Sequence, residues 1–269
     1  MRVAALQMSS QVDLDSNLEQ AAKLLAEAAA SGATLAVLPE NFSYLGAVDA
    51  DRLAVAEEPG QGPAQAFLKE QARLYRMWIV GGTIPIRDGN PRIHSRSLLL
   101  GPDGQIVAQY DKLHLFDVTI PNSPKESYRE SDTTLPGVDP VVATTPFGRV
   151  ALTVCYDLRF PALFHRLSIL GMDILVVPAA FTVPTGRAHW QPLLTTRAFE
   201  SLSFVIAAGQ WGEHARGRLT YGHSSIISPW GEVLAQRADG IGCVMADIDL
   251  DLLRGLREKF PVLEHRREF

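Results

Sequence analysis

Short apolar runs alternate with segments of helical periodicity in the first half of the chain. Residues 2–8, 33–39 and 78–86 are nearly continuous apolar stretches typical of buried strands. From about Asp15 to Ala30, apolar positions recur every three or four residues, which predicts an amphipathic helix that ends at the Ser-Gly pair that follows. A second helix is predicted around 63–75. This order of strands and helices is typical of α/β proteins.

The middle of the chain contains a hairpin signal and then a polar stretch. Residues 95–100 and 105–110 are apolar runs joined by Gly-Pro-Asp-Gly, a turn sequence that predicts a β-hairpin. Residues 117–137 hold few apolar side chains and several turn formers, which predicts a long loop. Loops of this length in a compact domain are usually functional or mobile. Whether this one closes over a site as a lid is left open.

The second half of the chain repeats the arrangement of the first. An apolar run over 149–157 predicts a strand, and it is followed by further elements of the same two kinds. These are a helix over 161–171, a strand over 172–181, a helix at about 188–201, a strand over 203–211, a hairpin over 223–236 and a last strand over 242–250. No break in composition marks a boundary, so we expect one α/β domain over 1–269, with its core in about 1–250.

Composition and charge narrow the function. Apolar residues make up 46% of the 269 residues and charged residues 20%, as in ordinary globular proteins. The formal net charge of −5 gives no basic field that would attract nucleic acid or an anionic membrane. No apolar run approaches the roughly 20 residues of a membrane helix, and the N-terminus lacks a signal-peptide pattern. We therefore expect a cytoplasmic protein with neither nucleic-acid nor membrane partners.

Common catalytic and metal-binding signatures are absent from the sequence. The two cysteines, Cys155 and Cys243, make no disulfide framework and no CxxC pair, and the seven histidines show no ligand spacing. The motifs for phosphate loops, dinucleotide sites, zinc peptidases and serine hydrolases do not occur. No metal site is expected, and Cys243 is interpreted as a core thiol.

Three chemically capable side chains follow predicted strands. Glu40 follows the run over 33–39, Lys112 follows a hairpin strand, and Cys155 lies near the end of another apolar run. Ligand sites of open α/β sheets lie outside the carboxyl ends of strands, so these side chains can meet there. Taken singly, each has a structural explanation: a helix-terminal acid, a surface charge and a small buried thiol.

Together the three side chains can perform nucleophilic catalysis. A thiol is only slightly ionised at neutral pH and needs a base or a cation beside it. Glu40 could take the proton of Cys155 and later activate water. Lys112 and the backbone N–H of Tyr156 could stabilise the oxyanion. This chemistry is acyl transfer to water through a thioester.

Six short segments carry a resemblance to a known family. LPENF, YDKLHLFD, VCYDLRFP, AHW, YGHSSIISPWGEV and PVLEHRR resemble the carbon–nitrogen hydrolase (nitrilase) superfamily, in the expected order over nearly the whole chain. The resemblance implies a Glu–Lys–Cys triad at Glu40, Lys112 and Cys155. It also implies a four-layer α-β-β-α sandwich, no metal or organic cofactor, and a homodimer or higher homo-oligomer with residues 251–269 at the interface.

The resemblance also implies supporting residues near the triad. A second glutamate orients the lysine in this superfamily, and Glu126 and Glu130 both lie in the matching loop; the sequence around Glu130 is the more similar. Tyr156, Phe181 and Thr182 are candidates for substrate binding. His189 and Trp190 are interpreted as packed helix residues. Candidates for binding a substrate carboxylate are Arg159, Arg187, Arg197, Arg216 and Arg218, of which Arg159 is the weakest because a conformational role explains it equally well.

Within the superfamily, the segments are most similar to the Nit branch. That similarity implies an amidase that hydrolyses a terminal carboxamide of a small molecule to a carboxylate and ammonia, with deaminated glutathione as the favoured substrate. The alternatives are an omega-amidase acting on 2-oxoglutaramate or 2-oxosuccinamate, a nitrilase, and a non-catalytic binding protein with the same fold.

Overall fold

The computed structural model describes residues 1–120 and 126–267, in which strands and helices alternate as the apolar pattern predicts. Within these ranges the α-helices are α1 (Leu14–Ala30), α2 (Pro63–Tyr75), α3 (Pro161–Ile169), α4 (Val183–Ser201) and α5 (Leu250–Lys259). The strands of the first half are β1 (Arg2–Gln7), β2 (Leu35–Val37), β3 (Trp78–Val80), β4 (Ile84–Ile86), β5 (Ile93–Leu100), β6 (Ile106–Asp111), β7 (Asp117–Thr119), β8 (Ser127–Arg129) and β9 (Thr134–Leu135). Those of the second half are β10 (Val141–Thr145), β11 (Gly148–Leu152), β12 (Ile174–Ala179), β13 (Phe204–Gly209), β14 (Trp211–Glu213), β15 (Leu219–Tyr221), β16 (Ser224–Ile227), β17 (Val233–Arg237) and β18 (Gly242–Asp247).

Two large sheets organise the described residues. The first has the strand order β18-β1-β2-β3-β5-β4, with β6 and β9 also paired to β5. The second has the order β10-β11-β12-β13-β16-β17. Parallel pairs lie at the centre of each sheet: β1 pairs with β2 and β2 with β3 in one, and β11 pairs with β12 and β12 with β13 in the other. Apart from β18, which joins the first sheet, each half of the chain builds one of two related sheets, as the repeated pattern predicts.

Strand β1 shows how the layers stack. Its side chains alternate between two apolar clusters, since successive residues of a strand point to opposite faces. Val3 and Ala5 belong to the apolar cluster that β1 shares with the second sheet, and Trp190 of α4 is part of the same cluster. Ala4 and Leu6 belong to the cluster shared with α1 and α2. The arrangement is helices, sheet, sheet, helices, which confirms the predicted four-layer α-β-β-α sandwich.

Helix α4 begins earlier than the predicted residue 188. The Thr182 side chain accepts a hydrogen bond from the Thr185 N–H at 3.4 Å and caps the helix, which starts at Val183. Pro184 is compatible with the first turn of α4, because the backbone N–H groups of a first helical turn have no partner within the helix. The cap thus supplies a start signal that apolar periodicity does not contain.

The apolar run over 78–86 forms two strands rather than one. β3 and β4 both pair with β5, and the chain turns between them at Gly82, whose φ is +51°. A Cβ at Gly82 would lie 2.1 Å from the carbonyl oxygen of Pro39. The glycine is therefore required by the close approach of the segment that leads to Glu40.

The predicted loop over 117–137 is more ordered than the sequence suggests. β7 pairs with β8, a 3₁₀ turn follows at Glu130–Asp132, and β9 joins β5. These strands are too short for apolar alternation to reveal them. Residues 121–125 of the stretch lie outside the described residues, so its role as a lid stays a prediction.

The C-terminal segment also contains an element that the apolar pattern missed. α5 is capped by Asp249, which accepts the N–H groups of Asp251 and Leu252, and Arg257 donates to the carbonyls of Met172 and Leu202. Part of the predicted interface segment over 251–269 thus packs on its own chain, and its last two residues lie outside the described residues. Within the described ranges no helix is both long and apolar enough to cross a bilayer.

Candidate active site

The ends of three strands bring Glu40, Lys112 and Cys155 to one cavity. Glu40 follows β2, Lys112 directly follows β6, and Cys155 follows β11. The three side chains are buried and line a cavity of about 430 Å³. The expectation that they converge where strands end is met by this geometry.

Lys112 joins two carboxylates at the bottom of the cavity. Its Nζ donates to Glu40 Oε1 at 2.8 Å and to Glu130 Oε2 at 2.9 Å, and the side chain is almost fully buried. Burial lowers the pKa of Lys112, but the negative charges of Glu130 and Glu40 outweigh it and raise the pKa above its usual value. The side chain is therefore an ammonium ion at neutral pH.

Glu130, not Glu126, lies in the cavity. Its Oε2 also accepts the Phe116 N–H at 2.8 Å, and its Oε1 lies 3.5 Å from Nη2 of Arg52. Burial raises the pKa of Glu130, but the charges of Lys112 and Arg52 outweigh it and lower the pKa to about 2. The carboxylate therefore stays ionised and fixes the ammonium group of Lys112.

Cys155 is held in a strained turn. The strand ends at Leu152, earlier than the predicted end at 157, and a 3₁₀ segment runs from Cys155 to Arg159. The φ of Cys155 is +48°, a region that costs a non-glycine residue about 1–3 kcal/mol and is frequent at functional sites. The strain presents the thiol at the cavity wall.

The environment of Cys155 favours the neutral thiol. Burial raises its pKa well above the usual value, and the Glu40 carboxylate raises it further. The Lys112 ammonium and the N–H of Ala180 act in the opposite direction. A thiol of this kind can act as a nucleophile if its proton moves to a neighbouring base as it attacks, and Glu40 is the adjacent carboxylate.

Two hydrogen bonds fix the backbone of the turn that carries Glu40. The Gln210 side chain donates to the Glu40 carbonyl at 3.0 Å, and the Asn41 N–H donates to Thr83 Oγ1 at 2.8 Å. Asn41 itself has a φ of +58°. These contacts fix the backbone on both sides of the Glu40 carboxylate.

The three predicted substrate-binding residues line the same cavity. Tyr156 packs edge-on against Phe116, with ring centroids 5.1 Å apart, and Phe181 packs on Trp190 at 4.8 Å. The Thr182 hydroxyl caps α4, so this side chain has a structural partner as well. The wall next to Cys155 is therefore aromatic and rigidly packed.

Comparison with known proteins agrees with this geometry. The model of the carbon–nitrogen hydrolase family matches residues 2–258. The chain belongs to the carbon–nitrogen hydrolase family. The resemblance seen in the sequence is thereby confirmed, and so is the prediction that the protein is an enzyme.

Two curated relatives and one solved structure illustrate the match to this hydrolase. The deaminated glutathione amidase of Synechocystis sp. is 40% identical over 267 residues, which is 98% of this chain and 97% of the relative. The deaminated glutathione amidase of Homo sapiens is 40% identical over 272 residues, covering 98% of this chain and 82% of the relative. The crystal structure of the C. elegans NitFhit protein matches with a TM-score of 0.91 and 35% identity, covering 99% of this chain and 65% of that chain.

Asp157 is a residue of this hydrolase site that the sequence interpretation missed. Its carboxylate is fully buried and accepts hydrogen bonds from the Val154 N–H at 2.8 Å and the Tyr110 hydroxyl at 2.7 Å. It also accepts the His114 N–H at 3.1 Å, and Nδ1 of His114 lies 2.7 Å away. Asp157 therefore ties the turn of Cys155 to the segment that carries Lys112. Its position two residues after the thiol, beside a buried strand, is the available sequence signal.

Two of the five candidate arginines line the hydrolase cavity. They are Arg159 and Arg218; Arg187 and Arg216 are exposed elsewhere. Arg197 is buried, donates twice to the carbonyl of Leu158 and lies over a phenylalanine ring, so it has a structural role. Arg52, which also lines the cavity, was not anticipated because it lies in a 3₁₀ segment without apolar periodicity.

Arg159 occupies a more favourable position than the sequence interpretation gave it. Its guanidinium carbon lies 5.3 Å from the ring centroid of Phe181 and 5.8 Å from that of Tyr156. Its Nη1 is 3.1 Å from Nδ1 of His189. Both His189 and Trp190 lie in helix α4; Trp190 is buried, whereas the side chain of His189 is exposed.

Cys243 lies apart from the cavity. Its Sγ donates to the Leu24 carbonyl at 3.2 Å, and the residue is half-buried rather than in the core. Burial raises the pKa of Cys243 to about 12. Across residues 1–120 and 126–267 no group of three or more acidic, histidine or cysteine side chains could hold a metal ion.

Proposed function

We propose that Cys155, Glu40, Lys112 and Glu130 form the catalytic centre of an amidase that works through a thioester, within one catalytic domain over 1–269. The observation that carries the proposal is the position of the Lys112 ammonium, hydrogen-bonded to both glutamates in the cavity that Cys155 lines. An ammonium group has three N–H donors, and the two glutamates take two of them. The third can stabilise an oxyanion in the cavity.

The first half of the reaction is acylation. The Cys155 sulfur attacks the amide carbon while its proton moves to the Glu40 carboxylate, which avoids a free buried thiolate. Lys112 and the N–H of Tyr156 stabilise the tetrahedral oxyanion. The carbon–nitrogen bond then breaks, and the leaving nitrogen takes the proton from Glu40.

The second half is hydrolysis of the thioester. Glu40, again a carboxylate, removes a proton from water as the water attacks the acyl carbon. The carbon–sulfur bond breaks, the proton returns to Cys155, and the carboxylate product leaves. Glu130 stays ionised throughout and keeps Lys112 oriented, which makes it a positioning residue. Replacement of Cys155 by Ala should abolish turnover with little effect on folding, and retained hydrolysis would rule out the thioester.

Deaminated glutathione is the proposed substrate. Support comes from the names of relatives that are about 40% identical over nearly the whole chain. This compound has a carboxylate at each end, and Arg159 and Arg218 supply two guanidinium groups in the cavity wall. Its amides are secondary, so cleavage between the 2-oxo acid unit and cysteine releases a dipeptide amine. Ammonia, the product expected from the sequence, arises only from primary carboxamides.

Steady-state kinetics test the proposed substrate against its alternatives. The assay compares kcat/KM for deaminated glutathione, 2-oxoglutaramate, 2-oxosuccinamate and a simple nitrile. We expect deaminated glutathione to be favoured by about a hundredfold, which corresponds to about 2.7 kcal/mol of transition-state stabilisation. A higher kcat/KM for 2-oxoglutaramate or 2-oxosuccinamate would identify the protein as an omega-amidase, and a higher value for the nitrile would identify it as a nitrilase. No turnover of any compound would identify it as a binding protein.

A homodimer is proposed for the assembly. The rings of Trp230 and Phe260 are exposed and pack edge-on with centroids 5.5 Å apart, and Phe199 is also exposed. Exposed aromatic groups of this kind are frequent at protein interfaces. Light scattering after gel filtration should give twice the chain mass, and a monomer at micromolar concentration would contradict the proposal. A cytoplasmic location stays a prediction.

A further inference from the structure

Two concave regions meet at Arg218 and Asp49. The catalytic cavity includes both residues in its wall. So does a neighbouring groove of about 610 Å³, formed by residues 47–50, 127–129 and 132–133. A ligand that extends out of the cavity into this groove must therefore pass Arg218.

Arg218 has unused hydrogen-bonding capacity. Its side chain is only 13% exposed, and its closest ionic contact, Nη1 to Asp49 Oδ1, is 3.7 Å, which is beyond hydrogen-bond length. Its Nε is buried and has no hydrogen-bond partner among the described residues. The guanidinium carbon lies 5.4 Å from the ring centroid of Tyr128, which helps to fix its orientation. A buried group of this kind is stabilised by a ligand that accepts its N–H groups.

The charge of the cavity wall also favours an anion. Its described lining contains four cationic side chains and three carboxylates, namely Lys112, Arg52, Arg159 and Arg218 against Glu40, Glu130 and Asp49. Glu130 and Glu40 bind Lys112 closely, whereas Asp49 lies 3.8 Å from Arg52 and 3.7 Å from Arg218. The positive excess therefore lies with the arginines, and Arg218 is the one next to the groove.

We propose that Arg218 and the adjoining groove bind a carboxylate on the amine portion of the substrate, the portion that leaves when Cys155 is acylated. The inference rests on the proposed amidase function. A primary carboxamide releases only ammonia and has no amine portion to place in the groove. An amide of a short peptide acid, such as deaminated glutathione, extends an anionic group beyond the scissile nitrogen. Arg218 is thus a specificity residue for the leaving group and selects secondary amides with an acidic amine portion.

The test changes the protein and the substrate together. kcat/KM is measured for deaminated glutathione and for its analogue with a C-terminal glycinamide, with wild type and Arg218→Gln. In wild type, removal of the carboxylate should cost about tenfold or more, the effect of one charged hydrogen-bonded pair. In Arg218→Gln the same change of substrate should cost less than about threefold. Arg216→Gln, an exposed arginine two residues away, should behave as wild type.

The outcomes separate this inference from the proposed function. Equal loss on amidation in wild type and Arg218→Gln would overturn the role of Arg218. A wild-type loss below threefold would overturn the anionic subsite without any variant, so the test stands even if Arg218→Gln folds poorly. If wild type hydrolyses 2-oxoglutaramate but not deaminated glutathione, the proposed substrate fails instead.

Discussion

Replacement of Glu130 by Gln should destabilise the protein and slow its reaction. The carboxylate accepts from Lys112 at 2.9 Å and from the Phe116 N–H at 2.8 Å, and the residue is almost fully buried. Its pKa is lowered from 4.5 to about 2, because Lys112 and Arg52 outweigh the effect of burial. That difference corresponds to about 3 kcal/mol of preferential interaction with the ionised form. We expect Glu130→Gln to lose about that amount of unfolding free energy at pH 7.

The pH dependence of the loss identifies its origin. The folded-state pKa of Glu130 is lower than the unfolded one, so the stabilisation is fully present above about pH 4.5 and is lost as pH falls towards 2. Urea unfolding of wild type and Glu130→Gln between pH 7 and pH 3 should therefore give converging free energies. The same variant should lower kcat more than tenfold, since Lys112 loses one of the two negative charges that hold it in position.

Glu70→Gln is the control because it replaces an exposed carboxylate of α2 that lies outside the cavity. It should alter the unfolding free energy by less than about 0.5 kcal/mol. The reasoning is refuted if Glu130→Gln is as stable as this control at pH 7, or if its loss is the same at every pH.

Three further predictions concern other residues. Asp157→Asn should lower the unfolding free energy by about 2–4 kcal/mol and kcat/KM by at least tenfold, because the buried carboxylate of Asp157 holds the turn of Cys155. A urea midpoint and a kcat/KM equal to those of wild type would contradict this. Burial lowers the pKa of His214 to about 4, so the contribution of His214 to stability should be constant above pH 6.5 and fall by about 3 kcal/mol between pH 6.5 and 4 as the unfolded state takes up the proton. His214→Gln should lack that slope in chemical denaturation. Cys243, with its pKa raised by burial to about 12, should alkylate slowly at pH 7.5 by mass spectrometry, and rapid labelling there would oppose the assignment.

The apolar pattern predicted the layers of the fold because burial on both faces of a sheet leaves a strong signal. β1 and β2 are buried along nearly their whole length, and α1 spans the predicted residues within one position. The start of α4 and the short strands β7 and β8 were missed for a different reason. They depend on a threonine cap and on pairing between short polar segments, and neither contributes to apolar periodicity.

Only part of the candidate site could be predicted from the sequence. Glu40, Lys112 and Cys155 were found because they follow strands, and strand ends converge for reasons of topology. Arg52 and Asp157 were not found, because their importance arises from contacts between segments distant in sequence. Arg52 meets Glu130 across 78 positions, and Asp157 meets Tyr110 across 47. Such pairings require the folded arrangement and have no local signature.

The acyl-enzyme provides the most direct test of the account. Wild type is quenched with acid during turnover of deaminated glutathione, and Glu40→Gln, which cannot accept the proton of the thiol or of water, is the variant in which both acylation and hydrolysis of the thioester should slow. Intact-mass and peptide-mass spectrometry of the quenched wild type should show the mass of the 2-oxo acyl group on Cys155, and the variant should form this species more slowly. An acyl group on Cys243, or full turnover by Cys155→Ala, would contradict the account.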